Sequence, residues 1–294
     1  MSRAGDPGDA PRRRRPAPEI VLRDGTRLHH VERGGASATP VVFVHLGGSD
    51  WRYWNGQLET FAAAGYRAVA YSRRFAMPND NPMVGDYSPA VDADDLAELV
   101  EALGAAPAHL VAASAGAYAA LLLATRRPEL VRSLVLAEPP VMGWARTTRA
   151  GAAAVEAFMR DVWRAAGDAF RAGDPERGMR TLMDYFVAPG ALDRFPPRLR
   201  RRVLENARDW EAHTTSTDPF PTLDRDAVRA IAAPVLLLSG DRTLPLHRLV
   251  DAELERLLTN VRRLTVEGAS HDLWADAGDA CRRVTLEFLK GASG

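Results

Sequence analysis

The sequence predicts an α/β protein: a mostly parallel central sheet with helices on both faces and an inserted helical cap. Three observations predict it. Short apolar runs alternate along the chain with segments whose apolar residues recur every three or four positions. Such alternation requires right-handed crossovers, and so a mostly parallel sheet. The runs are also continuously apolar, as in Val41-Val42-Phe43-Val44, which suits strands covered on both faces. Third, the alternation stops between about Pro140 and Ala230, where only helical patterns occur.

The elements follow in order. Met1–Pro18 is rich in Pro, Gly and Arg, and Arg12 to Arg15 lead into Pro16-Ala17-Pro18-Glu19. An export signal needs an apolar stretch after its arginines, so residues 1–18 read as a flexible leader. Ile20–Leu22 and Arg27–Val31 flank Asp24-Gly25, a two-residue hairpin signal. Val41–Val44 is the next strand, and Tyr66–Tyr71, His109–Ala112, Ser133–Ala137, Val235–Ser239 and Val261–Val266 repeat the pattern. Between them, Val91, Leu96, Leu99, Val100 and Leu103, and then Ala119, Leu122 and Leu123, have helical spacing. Residues 19–139 and 231–294 are the expected core, and 140–230 the expected cap.

Three stripes organise that cap. Val155, Phe158, Met159, Val162, Trp163 and Phe170 form the first; Met179, Leu182, Met183, Phe186 and Val187 the second; Leu199, Val203, Leu204, Ala207 and Trp210 the third. Each aromatic suits packing inside the cap, and together they suit an apolar pocket beneath it.

Composition excludes several function classes. The 38 basic residues balance 38 acidic ones, so no net field draws nucleic acid or an anionic membrane. Lys290 is the only lysine. No apolar run approaches the roughly 18–20 residues of a membrane span. Cys281 is the single cysteine, so an intrachain disulfide and C-x-x-C chemistry are ruled out, and a cytoplasmic protein without a metal is expected. A Gly-rich phosphate loop, a dinucleotide fingerprint and a metal-ligand cluster are all missing, so no cofactor is expected. A small-molecule substrate is the expected partner; homo-oligomerisation is left open.

The chemistry centres on His109-Leu110-Val111-Ala112-Ala113-Ser114-Ala115-Gly116-Ala117. A strand runs into a serine flanked by small residues and a helix begins at once, the context of a nucleophile elbow. The common pattern is G-x-S-x-G, and here Ala112 takes the first glycine's place. With this motif the chain, from about Ile20 to Leu289, resembles the α/β-hydrolase superfamily. The resemblance implies that Ser114 is the nucleophile. It implies that His45-Leu46-Gly47-Gly48, after the third strand, supplies an oxyanion-hole amide, with Leu46 replacing the usual first glycine. The donors it points to are the Gly47 and Ala115 N–H groups. His271, in Gly268-Ala269-Ser270-His271 after the last strand, fits the family's G-x-x-H base, which a serine hydroxyl needs near neutral pH. His45 reads as structural, and His247 as opening a helix. Asp272 reads as facing the oxyanion loop or solvent.

The acid is open between two positions. Relatives commonly carry it three residues beyond a glycine after the strand that follows the cap. Counting from Gly240 gives Thr243, with Asp241 two residues early. Glu138, directly after Ser133–Ala137, is the preferred acid; Asp241 is the alternative, and a site without a true acid the third case. Tyr71-Ser72-Arg73-Arg74 stands where relatives have a D-x-R-G-type turn, so its arginines are expected to anchor that turn, with acidic-substrate binding as the alternative. A serine at the elbow implies acyl transfer on a small, largely apolar ester or lactone without a cofactor. C–C bond hydrolysis or cofactor-free oxygen chemistry, in which the His–acid pair deprotonates substrate, is the first alternative. A non-catalytic ligand-binding homologue is the second.

Overall fold

Continuous β-branched runs bury both faces, so they pair in the middle of a sheet. The computed structural model describes residues 18–292. Its strands are β1 (Glu19–Val21), β2 (Arg27–Arg33), β3 (Pro40–Val44), β4 (Arg67–Tyr71), β5 (Ala108–Ala113), β6 (Val131–Ala137), β7 (Val235–Gly240) and β8 (Val261–Val266). They form one sheet in the order β1-β2-β4-β3-β5-β6-β7-β8. β1 and β2 make the expected antiparallel hairpin, β2 runs antiparallel to β4, and every later pairing is parallel. The sequence-predicted leader lies, through residue 17, outside the described residues.

The helices are α1 (Asn55–Ala63), α2 (Pro89–Ala102), α3 (Ala115–Arg126), α4 (Met142–Ala145), α5 (Arg149–Phe158), α6 (Ala165–Arg171), α7 (Pro175–Phe186), α8 (Ala191–Arg194), α9 (Pro197–Glu205), α10 (Ala207–Thr215), α11 (Arg225–Arg229), α12 (Pro245–Leu257), α13 (Leu273–Asp276) and α14 (Gly278–Gly291). Side chains alternate across the sheet. Val42, Val44, Leu110 and Leu134 join the core closed by α2, α3 and α12. Val41, Phe43, Val111 and Val135 join the core closed by α1 and α14. No helix among the described residues is long and apolar enough to cross a membrane.

Between β6 and β7 the described residues form helices only, and Val155, Phe158, Trp163 and Trp210 extend the first core. The first sequence stripe is one nearly continuous rod, α5 joined to α6 through a π-helical turn at Met159–Arg164. The second is α7, which stops at Phe186 and leaves Val187 56% exposed. The third does not form one helix. It breaks between α9 and α10 at Asn206, whose buried carboxamide accepts from Met77 N–H at 2.9 Å and donates to Asp50 Oδ2 at 2.7 Å. A short amide that bonds distant groups competes with the helical ladder. Leu199, assigned to that stripe, is exposed rather than packed inside.

Buried charges tie these helices to the sheet. Arg73, fully buried after β4, places its guanidinium 2.7 Å from Asp92 in α2 and 2.7 Å from Asp209 in α10. Its Nη1 also donates to His213 Nε2 at 2.8 Å. Arg74 pairs with Asp95 and Asp24. The two arginines therefore anchor the turn, as expected.

Candidate active site

The carboxyl ends of the parallel strands gather the chemistry-bearing side chains. β5 runs into Ser114 at φ 47°, ψ −117°, and α3 begins at Ala115. Positive φ costs an L-residue roughly 1–3 kcal/mol, so neighbours must hold it. Ser114 N–H donates to Ala137 O at 2.8 Å, and Ser114 O accepts from Tyr118 N–H at 3.0 Å. Gly116 has no alternative: a Cβ there would lie 2.5 Å from His45 O and 2.7 Å from Val44 O. Ala112 is fully buried, so its side accepts a methyl. Among the described residues the other non-glycine with positive φ is Glu138, at 50°.

Those two strained residues sit at the ends of one hydrogen-bonded chain. His271 Nε2 lies 3.0 Å from Ser114 Oγ, and His271 Nδ1 lies 2.7 Å from Glu138 Oε2. A carboxylate can only accept, so Nδ1 carries the proton and the Nε2 lone pair faces the serine hydroxyl. Glu138 has no solvent exposure. Gly240 N–H donates to its Oε1 at 2.8 Å and Thr243 Oγ1 to its Oε2 at 2.5 Å. Thr243, at the counted position of the usual acid, is thus bonded to the Glu138 carboxylate.

Asp241 is not brought to His271. β7 ends one residue earlier, and Asp241 N–H is committed to Val266 O at 3.2 Å while its exposed side chain faces solvent. Asp272, next to the histidine, accepts from Tyr53 Oη at 2.5 Å, and burial raises its carboxyl above the usual range. Tyr53 belongs to the turn after the His45 loop, so Asp272 faces that region.

The loop after β3 is fixed by His45, which is buried, with Nδ1 donating to Leu46 O at 2.8 Å and Nε2 accepting from Arg73 N–H at 2.9 Å. Burial, and then Arg73, depress its pKa to about 4, so the ring is neutral at pH 7. Gly48 N–H already donates to Asp209 Oδ2 at 2.7 Å. Gly47 lines a cleft beside Ser114. Ala115 opens α3, where an N–H has no acceptor within its own helix.

Two spaces meet at Ser114. An outer cleft of about 520 Å³ is lined by Gly47, Val187, Leu199, Arg202, His271 and others. An inner chamber of about 20 Å³ is lined by Met142, Phe158, Trp163, His247 and others. Ser114, Phe186 and Trp210 border both. Four rings stack in sequence: Trp210 on Phe186 (5.5 Å, 22°), Phe186 on His271 (5.6 Å, 28°) and His271 on His247 (4.1 Å, 25°). His247 carries no signal in the sequence beyond its place at a helix start.

Glu138, His247 and His271 also bring ligand-type atoms within 4.8 Å of one another. Within that cluster His271 Nδ1 and Glu138 Oε2 are already bonded to each other at 2.7 Å.

Comparison with known proteins agrees with the fold. A non-heme chloroperoxidase of Streptomyces lividans is 29% identical over 287 residues, covering 92% of this chain and 99% of that protein. An esterase of Mycobacterium tuberculosis is 26% identical over 289 residues, covering 94% of this chain and 89% of the esterase. The crystal structure of an enol-lactonase from Burkholderia xenovorans superposes with a TM-score of 0.73 at 18% identity, covering 93% of this chain and all of that one. Residues 39–276 match the family described as alpha/beta hydrolase fold, and the chain belongs to that family.

Proposed function

We propose that this protein is a serine hydrolase of small, largely apolar esters or lactones, acting through an acyl-enzyme intermediate. The observation that carries the reading is the Ser114–His271–Glu138 chain, at 3.0 and 2.7 Å, with strained backbone at both ends. Ser114 Oγ attacks the carbonyl carbon while His271 Nε2 takes its proton. The oxyanion receives the Gly47 and Ala115 N–H groups, each such donor being worth about 3 kcal/mol or more in a water-poor site. His271 passes its proton to the departing alkoxide. A water then attacks the acyl-enzyme with His271 again as base, and the acid leaves with Ser114 restored. Glu138 holds the imidazole tautomer and stabilises its cation.

Residues 140–230 act as the cap over a core of 19–139 and 231–294, and their aromatics make the acyl surroundings apolar. The names of the esterase and enol-lactonase relatives support ester or lactone chemistry. Buried Cys281 suits a reducing, cytoplasmic compartment. The chloroperoxidase name of a full-length relative favours a second reading, cofactor-free oxygen chemistry in which the His–Glu pair does the work. Steady-state turnover of phenyl acetate and a small lactone separates the two. The serine reading expects Ser114→Ala to lose about a thousandfold or more in kcat. Undiminished turnover by folded Ser114→Ala overturns it.

A further inference from the structure

His247 is 1% exposed, and neither ring nitrogen has a hydrogen-bond partner. The Glu138 backbone carbonyl lies near the ring without forming a bond of good geometry. A buried polar group left unpaired costs about 1–3 kcal/mol, and a fold that retains one at a reactive centre is holding a place for a partner. The ring forms part of the wall of the inner chamber, beside Ser114. Of the other polar side chains there, Ser114 is engaged with His271, and His213 with Arg73. Trp163 and Trp210 also line the chamber and their indole N–H groups are unpartnered, but each can only donate, whereas His247 also offers an acceptor. Met142 and Phe158 are among the apolar lining.

We infer that the inner chamber is an acyl subsite for a two- or three-carbon acyl group bearing a hydroxyl or carbonyl oxygen beside the ester carbon, and that His247 hydrogen-bonds that oxygen. The inference rests on the serine-hydrolase reading above. Chamber size supports a short acyl group: about 20 Å³, room for roughly one water molecule, takes the oxygen substituent while the acyl carbonyl stays at Ser114, and leaves no space for a longer chain. Position supports the acyl side. Val187 and Leu199, which line the outer cleft, are exposed, so the leaving group departs through that cleft. Phe186 and Trp210 stand between the two spaces. Chemistry supports an oxygen substituent. Burial pushes the His247 ring well below its ordinary pKa, so it is neutral and offers one donor and one acceptor. A hydroxyl can pair with whichever nitrogen faces the chamber, and a carbonyl oxygen with that nitrogen when it carries the proton.

The test compares phenyl 2-hydroxypropanoate with phenyl 2-methylpropanoate, which exchange a hydroxyl for a methyl of similar size. Each kcat/KM is divided by that ester's hydroxide-catalysed rate. Wild type is expected to favour the hydroxy ester by tenfold or more. His247→Leu is expected to lose that preference, and His247→Gln, which keeps a donor and an acceptor, to retain part of it. A purely structural His247 leaves the preference the same in all three proteins, which overturns the inference. A wild type without preference overturns it whatever the variants do. Each protein is also treated with a small fluorophosphonate. Adducts accompanied by no preference defeat the subsite alone, whereas folded wild type that forms no adduct defeats the serine reading beneath it.

Discussion

A carboxylate shut away from solvent needs donors on its lone pairs, and Glu138 receives three: the His271 ring, the Thr243 hydroxyl and the Gly240 amide. Glutamine at this position offers an amide that no longer selects the Nδ1–H tautomer. Glu138→Gln is therefore expected to lower kcat on a short aryl ester by about 10⁴-fold with the fold retained. Asp241→Asn, out at the surface, is expected to leave kcat unchanged; the reverse pattern would move the acid to Asp241. Ser114 and Glu138 were legible because each follows a strand directly, and strand ends are what short apolar runs mark best; His271 was legible from the Gly268–His271 spacing in the loop after the last strand. The bonding of Thr243 to Glu138 was not legible, since 105 residues separate the two. His247 stacks on His271 across a loop that carries no sequence signature.

At the scale of elements, α7 ends where the two spaces meet, so its last residue, Phe186, forms the partition. Phe186→Ala removes that wall. The kcat/KM ratio of phenyl hexanoate to phenyl acetate is expected to rise by about tenfold or more, since each added methylene in an apolar pocket is worth about 1–3 kcal/mol. An unchanged ratio would mean that the acyl chain does not enter the inner chamber. The central strands were visible in the sequence because continuous apolar runs read as buried strands whatever their partners, and β1 and β2 because they flank the Asp24-Gly25 turn. Periodicity erred at the third cap stripe, where Asn206 reaches Asp50 and Met77. No pattern within α9 and α10 encodes that long-range bond. Val187 and Leu199 have helical spacing but line a cleft instead of filling a core, because periodicity finds a common face and not what covers it.

For the whole molecule, the link between the helical segment and the sheet is electrostatic as well as apolar. Arg73 joins β4, α2 and α10 through Asp92 and Asp209. Burial alone would raise the Asp209 carboxyl, but Arg73 and His213 outweigh it and hold the group below its ordinary range. Arg73→Ala leaves two buried carboxylates without their cation, and such breaks cost about 3–5 kcal/mol. Arg27→Ala breaks only the exposed pair with Glu19, 64% and 48% accessible, and is expected to cost about 0–1 kcal/mol. Urea unfolding of both variants checks the contrast, and equal shifts would contradict it. The Tyr71–Arg74 segment was legible as a turn anchor by resemblance. Its partner Asp209 was not, lying 136 residues away on a helix whose acidic residues otherwise resemble a solvated face.

Serine hydrolysis requires an activated Ser114, which intact-mass analysis after treatment with a fluorophosphonate detects. One adduct is expected on wild type, none on Ser114→Ala, and slower formation on Glu138→Gln. Folded wild type that forms no adduct, or Ser114→Ala that still forms one, would contradict it.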